Sequence, residues 1–196
     1  LAAYGVDGYV IYRQKSDEAA AHANGTVSIV EMMAASPEAT GSLWAYLASI
    51  DGCPNVRRWN TPIDDPLQMM VREPRRVRKT AVYDNLWLRI LDVEGALSGR
   101  AYEEDGEVTF HVSDPFRPST DGSYRLSVVD GRGTCQRVDG SAAVGMGIDV
   151  LGALFLGGAD ARAYHASGRL TGAPEDVARL HRLMRTVTAP WCDSVF

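Results

Sequence analysis

The chain has 196 residues, 45% hydrophobic and 23% charged, with a formal net charge of −5 and a pI near 5.4. That length suits two small domains, and the composition is that of an ordinary soluble globular protein. The acidic balance argues against a general nucleic-acid binder, which needs a strong basic excess.

In chain order, the alternating stretch 8–13 predicts a strand and 15–25 a connecting loop, with a second strand over 26–33. Ser36-Pro37-Glu38 supplies an N-cap, a proline at the first helical position and an acidic first turn. Leu43, Trp44, Leu47 and Ile50 then recur at helical spacing until Asp51-Gly52 stops the helix. A strand is expected over 56–59, and Asp64-Asp65-Pro66 should cap a short helix ending at Met70. The first part therefore reads β-β-α-β-α.

The basic, proline-broken run 72–79 divides the chain. It reads either as a solvated linker or as a contact for an anionic neighbour or a subunit. Beyond it, 86–93 predicts a buried strand followed by a short helix to Ser98. Strands are expected over 108–112, 124–128 and 133–138, the first two paired antiparallel. Gly145-Met146-Gly147 lacks the third glycine of a dinucleotide loop and reads as a flexible turn. Three helices should finish the chain: one capped by Asp149 to Leu156, one capped by Asp160 to Gly168, and one opened by Pro174 with Val177, Leu180, Met184 and Val187 on one face. Strands followed by helices make the second part, and the fold as a whole, α+β.

No run approaches the ~20 apolar residues of a membrane span. No cationic stretch followed by an apolar one opens the chain, so no signal peptide is expected. Cys53, Cys135 and Cys192 form no C-x-x-C pair, which indicates neither a zinc site nor a disulfide framework and suits a reducing cytoplasm. The histidines His22, His111, His165 and His181 lie in different elements without ligand spacing, so no metal is expected. Walker loops, H-E-x-x-H and G-x-S-x-G elbows do not occur. The first residue is Leu1 rather than methionine, which raises the expectation of a removed upstream part.

Two features carry chemistry. The ending Pro190-Trp191-Cys192-Asp193-Ser194-Val195-Phe196 has no polar tail, unlike most termini. Such an ending either completes a core or docks the Phe196 α-carboxylate where it can act as a base. Tyr83-Asp84-Asn85 forms a polar tip before 86–93. It is either an ordinary turn or a site that holds an ammonium group through charge and cation–π attraction.

The order Asp7-Gly8-Tyr9-Val10-Ile11-Tyr12-Arg13, Leu43-Trp44, Asp65-Pro66-Leu67, Asp84-Asn85-Leu86-Trp87-Leu88-Arg89, Asp92-Val93, Ala96-Leu97, the run 149–158 and Pro190-Trp191-Cys192…Phe196 resembles the C-terminal half of the enhanced intracellular survival acetyltransferases. The resemblance implies a degenerate GNAT domain over residues 1–76 and a sterol-carrier-like domain over 77–196. It implies transfer of acetyl from acetyl-CoA to amines, on aminoglycosides or lysine side chains, in a hexameric cytoplasmic enzyme. By the same resemblance Phe196 would be the catalytic base through its terminal carboxylate, and Tyr83, Asp84 and Phe196 would contact the amine. Acetyl-CoA would be held by an N-terminal GNAT domain upstream of Leu1. At the junction where a working GNAT domain wraps pyrophosphate, this chain has Ala35-Ser36-Pro37-Glu38-Ala39-Thr40-Gly41, in which Pro37 lacks a donor and Glu38 opposes phosphate. Val195 stands where some relatives carry an acidic residue, and Ala81 where some carry tryptophan. The alternative is a sterol-carrier-like module that binds lipid or serves assembly without catalysis, with Trp87, Phe155, Tyr164 and Trp191 lining a tunnel rather than filling a core.

Overall fold

A computed structural model describes residues 6–15 and 24–192. His22, most of the expected 15–25 loop and Phe196 lie outside those residues. The chain divides into two compact units, Leu1–Thr80 and Ala81–Phe196.

In the first unit, β1 (Gly8–Lys15) pairs antiparallel with β2 (Thr26–Ala34), and β2 pairs parallel with β3 (Asn55–Arg58). The crossover between β2 and β3 is α1 (Pro37–Ala48). Ser36 caps it as expected, its Oγ accepting from the Ala39 N–H at 3.1 Å. Alternation along β2 turns Val27 and Ile29 toward α1, where Leu47 is fully buried, and a bulge at Val30, opposite Ile11 and Tyr12, brings Met32 onto the same face. Leu43 and Trp44 of α1 and Val10 and Tyr12 of β1 pack against this cluster. Gly25 allows the loops to close, since a Cβ there would lie 2.5 Å from the Gly52 carbonyl oxygen. A short helix, α2 (Leu67–Met70), follows, with the Asp65 carboxylate accepting from the Leu67 N–H. Arg58 joins Asp65 at 3.2 Å and donates to the Met32 carbonyl, tying the end of β3 to β2.

The second unit opens with 81–91, which joins no sheet. The expected 86–93 strand is therefore corrected. Leu88 and Ile90 do turn toward the core at the expected spacing of two, but Leu86, Trp87 and Leu91 are exposed. The Leu88 carbonyl instead runs so close to a helix that a Cβ on Gly152 would lie 2.9 Å from it. α3 (Val93–Gly99) follows, capped by Asp92, whose carboxylate accepts from the Gly95 N–H.

Next comes an antiparallel meander of β4 (Gly106–Ser113), β5 (Gly122–Val129) and β6 (Arg132–Val138). Its inner face carries Val108, Phe110, Val112, Tyr124, Leu126, Val128 and Cys135, all buried. The other face is polar, with Glu107 accepting from the Ser127 hydroxyl at 2.6 Å.

Gly145-Met146-Gly147 is a strand rather than a turn: β7 (Val144–Gly147) lies parallel to β4 and pairs antiparallel with β8 (Leu170–Gly172). The five strands run in the order β6-β5-β4-β7-β8. Gly145 lets the Thr171 side chain pass close, since a Cβ would sit 2.8 Å from its hydroxyl.

The helices are α4 (Ile148–Phe155), α5 (Ala161–Ala166) and α6 (Pro174–Met184). Asp160 caps α5 as expected. Asp149 does not cap α4; Gly147 holds that position and the Asp149 carboxylate pairs with Arg169. Val187 lies beyond the end of α6 and is exposed, so the helical face ends at Met184. The termination has a visible cause. Arg100 donates from Nη1 to the Phe155 carbonyl at 2.6 Å and from Nη2 to the Met184 carbonyl at 3.0 Å, closing α4 and α6 together.

Candidate active site

Tyr83 and Asp84 stand on the surface of the second unit, Tyr83 being 69% exposed. Neither lies at the mouth of a strand, because the following segment is not one. Asn85, next in sequence, donates from Nδ2 to the Cys192 carbonyl at 3.1 Å. The polar tip and the C-terminal segment, 107 residues apart, are thus brought together. Phe196 lies outside the described residues. Asn85 was not singled out by sequence reasoning. Its only signal was its position within the Tyr83-Asp84-Asn85 tip.

The segment carrying the tip is fixed from below by a charged clamp. Arg89 donates from Nη2 to both carboxylate oxygens of Asp114, at 2.6 and 2.7 Å, and its guanidinium lies 5.3 Å from the Phe116 ring. The Asp114 side chain is fully buried and also accepts from the Thr120 hydroxyl and from the Phe116 and Arg117 N–H groups. The Thr120 bond, more than any other, holds the Asp114 carboxyl down at about 2, with Arg117, Arg89 and Phe116 assisting while burial opposes. A carboxylate so completely engaged anchors structure; it is not poised to exchange protons.

A polar hollow of about 260 Å³ lies beside α3 and the β4–β5 loop, lined in part by Asp92, Glu94, Arg117, Ser119, Tyr124 and Arg137. Its charged groups are engaged by neighbouring backbone and hydroxyl groups. Arg137 Nη2 donates to the Ser119 and Asp121 carbonyls, both at 2.8 Å, and Arg117 Nε reaches the Ser119 hydroxyl at 3.0 Å. The backbone N–H of Arg137 donates to Glu94 at 2.8 Å, and that of Cys135 to Ser98 at 2.9 Å. These two bonds cover the outer edge of β6: helical spacing of four on α3 matches strand spacing of two.

His111, His165 and His181, the described histidines, lie in separate elements. His165 faces the Leu170 carbonyl at 3.0 Å and His111 the Ser123 hydroxyl at 3.3 Å. His181 stands 3.4 Å from Asp160, and burial lowers its pKa. No group of three or more metal-binding side chains occurs among the described residues. No helix there is long and apolar enough to cross a membrane. Cys53 and Cys135 are buried and Cys192 is half-buried, and none of the three is in a disulfide.

At the β2–α1 junction most first-turn donors are engaged or missing. Ser36 Oγ accepts from Ala39, the Ser36 carbonyl accepts from the Thr40 N–H and hydroxyl, and Pro37 has no N–H to offer.

A three-stranded sheet with its crossover helix, followed by a five-stranded sheet covered by helices, defines a two-unit architecture with known counterparts. Residues 2–90 match the acetyltransferase (GNAT) domain, and residues 93–193 match the sterol carrier protein domain. An uncharacterized N-acetyltransferase of Streptomyces avermitilis is 34% identical over 204 residues, covering 96% of this chain and 48% of that protein. N-acetyltransferase Eis of Mycobacterium tuberculosis is 34% identical over 166 residues, covering 84% of this chain and 39% of that protein. Among solved structures, Eis1 from Mycobacterium abscessus superposes with a TM-score of 0.83 at 30% identity over 97% of this chain and 48% of its own. A GCN5-related N-acetyltransferase from Anabaena variabilis shares the fold, with a TM-score of 0.74 at 20% identity over 97% of this chain and 47% of its own. The chain belongs to the Eis-type GNAT N-acetyltransferases. It spans about half the length, or less, of the curated relatives it matches.

Proposed function

We propose that this chain is part of an acetyl-CoA-dependent amine N-acetyltransferase, to which it contributes a wall of the amine pocket and the terminal carboxylate of Phe196 as proton acceptor. The observation that carries the reading is the Asn85–Cys192 hydrogen bond, which joins the Tyr83-Asp84 tip to the segment leading to Phe196. Residues 1–76 are read as a degenerate GNAT domain and 77–196 as the sterol-carrier-like domain. The acceptors are amines of the aminoglycoside or lysine type, the assembly a hexamer and the compartment the cytoplasm.

An amine substrate arrives as an ammonium ion and must shed a proton before its nitrogen can attack the thioester carbon. In this reading the Asp84 carboxylate and the Tyr83 ring hold the ammonium, and the Phe196 carboxylate accepts the proton. The N–C bond then forms, the C–S bond breaks, and the departing thiolate takes the second proton from nitrogen. An α-carboxyl of pKa ~3.3–3.7 is a weak base, so its contribution is mainly geometric: it orients the amine and receives the proton at short range. Acetyl-CoA is assigned to the half upstream of Leu1. The engaged Ala39 and Thr40 N–H groups and the missing one at Pro37 support that assignment, since an anion cradle needs several open N–H groups.

The test uses the intact polypeptide with acetyl-CoA and an aminoglycoside, reading release of CoA thiol. Deleting Phe196, or extending it by one glycine, should abolish turnover with melting unchanged; undiminished turnover in both would remove the terminal carboxylate from the mechanism. The match of residues 93–193 to the sterol carrier protein domain favours a second reading, a lipid-binding or assembly module. Against a tunnel, Trp87 is 83% exposed and Trp191 36%, while Phe155 and Tyr164 pack on the core. Tight binding of a fluorescent fatty acid would favour that second reading.

A further inference from the structure

The stretch after α6 is held at three points. Thr186 lies against Gly157, which has φ +87°; a Cβ there would be 2.7 Å from the Thr186 hydroxyl oxygen and methyl carbon. The Thr186 N–H faces the Gly157 carbonyl at 3.4 Å, and its hydroxyl donates to the Thr188 carbonyl at 2.8 Å, setting the turn. Four residues on, Pro190 presses on Gly158: a Cβ at Gly158 would lie 2.8 Å from both Cγ and Cδ of the ring. Two residues further, the Cys192 carbonyl accepts from Asn85. The two glycines form a floor that no side chain can interrupt, and Asn85 closes over the strand of chain laid on it.

We propose that Gly158 and Asn85 are positioning residues that fix the C-terminal segment beside the Tyr83-Asp84 tip. The consequence for catalysis rests on the reading of Phe196 given above; the tether itself does not.

Two variants of the intact polypeptide test this. Gly158→Ala drives a methyl into Pro190, and Asn85→Leu removes the donor while keeping the bulk. Carboxypeptidase A, which removes an accessible C-terminal aromatic residue, reads the tether directly. Both variants should lose Phe196 about 10-fold faster than the parent. Each should show kcat reduced about 10- to 100-fold with KM for acetyl-CoA unchanged. Asn85→Ser in place of Leu, which retains a short donor, should recover part of both effects. Digestion at the parental rate in both variants overturns the proposal, whatever the activity. Accelerated digestion with kcat unchanged leaves the tether standing and overturns the role assigned to the terminal carboxylate.

Discussion

Arg100 offers the most direct measure of how the second unit is held together. Replacing it by methionine keeps the packed stem and removes only the guanidinium. Two charge-assisted bonds are lost, at 2.6 Å to the Phe155 carbonyl and 3.0 Å to the Met184 carbonyl. The stacking of the guanidinium over Tyr102, 4.6 Å from the ring centre, goes with them. Such bonds contribute about 1.5–3 kcal/mol each. Burial lowers the Arg100 pKa, so the guanidinium spends part of that gain on desolvation, and solvent screening at this half-buried site removes more. A net loss of about 2–4 kcal/mol remains. For a unit of this size a loss of 1 kcal/mol moves the midpoint by about 4 °C, which gives a fall of about 8–16 °C. Calorimetry on the chain measures the shift. Arg100→Lys should fall between the two, since an ammonium reaches one carbonyl well but not both in a fixed fork. A melting point within about 1 °C of the parent for Arg100→Met, or lysine equal to arginine, would refute the double-cap argument.

The remaining predictions concern an edge and a pH limb. Glu94→Ala with Ser98→Ala strips both side-chain acceptors from the outer edge of β6, costing about 1–3 kcal/mol together. It should also produce concentration-dependent association visible by light scattering, which the single variants show weakly; a monodisperse double variant would count against edge protection. The Asp114 carboxyl is depressed to about 2 in the folded state, below the ~3.9 of an unfolded chain. Its stabilisation is therefore complete above pH ~3.9 and is lost as pH falls through about 2. Asp114→Asn should be less stable than the parent near pH 5, with the gap narrowing toward pH 2 in urea titrations; a constant gap would be inconsistent with that linkage.

Local signals were legible where they act locally. Ser36-Pro37 and Asp160 announce their helices because capping is decided within three residues. The meander of β4 to β6 shows itself through alternation, since one face meets the core and the other meets water. What depends on distant neighbours was not legible. Leu88 and Ile90 have the spacing of a strand, but Leu88 lies against α4 at Gly152 and Ile90 enters the core of the second unit, partners no window around residue 88 contains. β7 and β8 hide for the opposite reason: glycine and brevity suppress strand propensity, although Gly145 is what lets Thr171 pass close across the pair. At the candidate site, the tip and the terminal segment were each visible as unusual sequence. The Asn85 bond that joins them, and the Asp114 socket under Arg89, arise only once the chain is folded.

The distribution of sulfur provides a built-in reporter. Cys53 is buried under α1, and burial pushes the Cys135 thiol up to about 12, so both are poor nucleophiles toward an alkylating reagent at neutral pH. Cys192 is half-buried and occupies the last anchoring point of the chain. A thiol-directed fluorophore would therefore mark Cys192 in preference to Cys53 and Cys135, reporting on the point where Asn85 holds the chain.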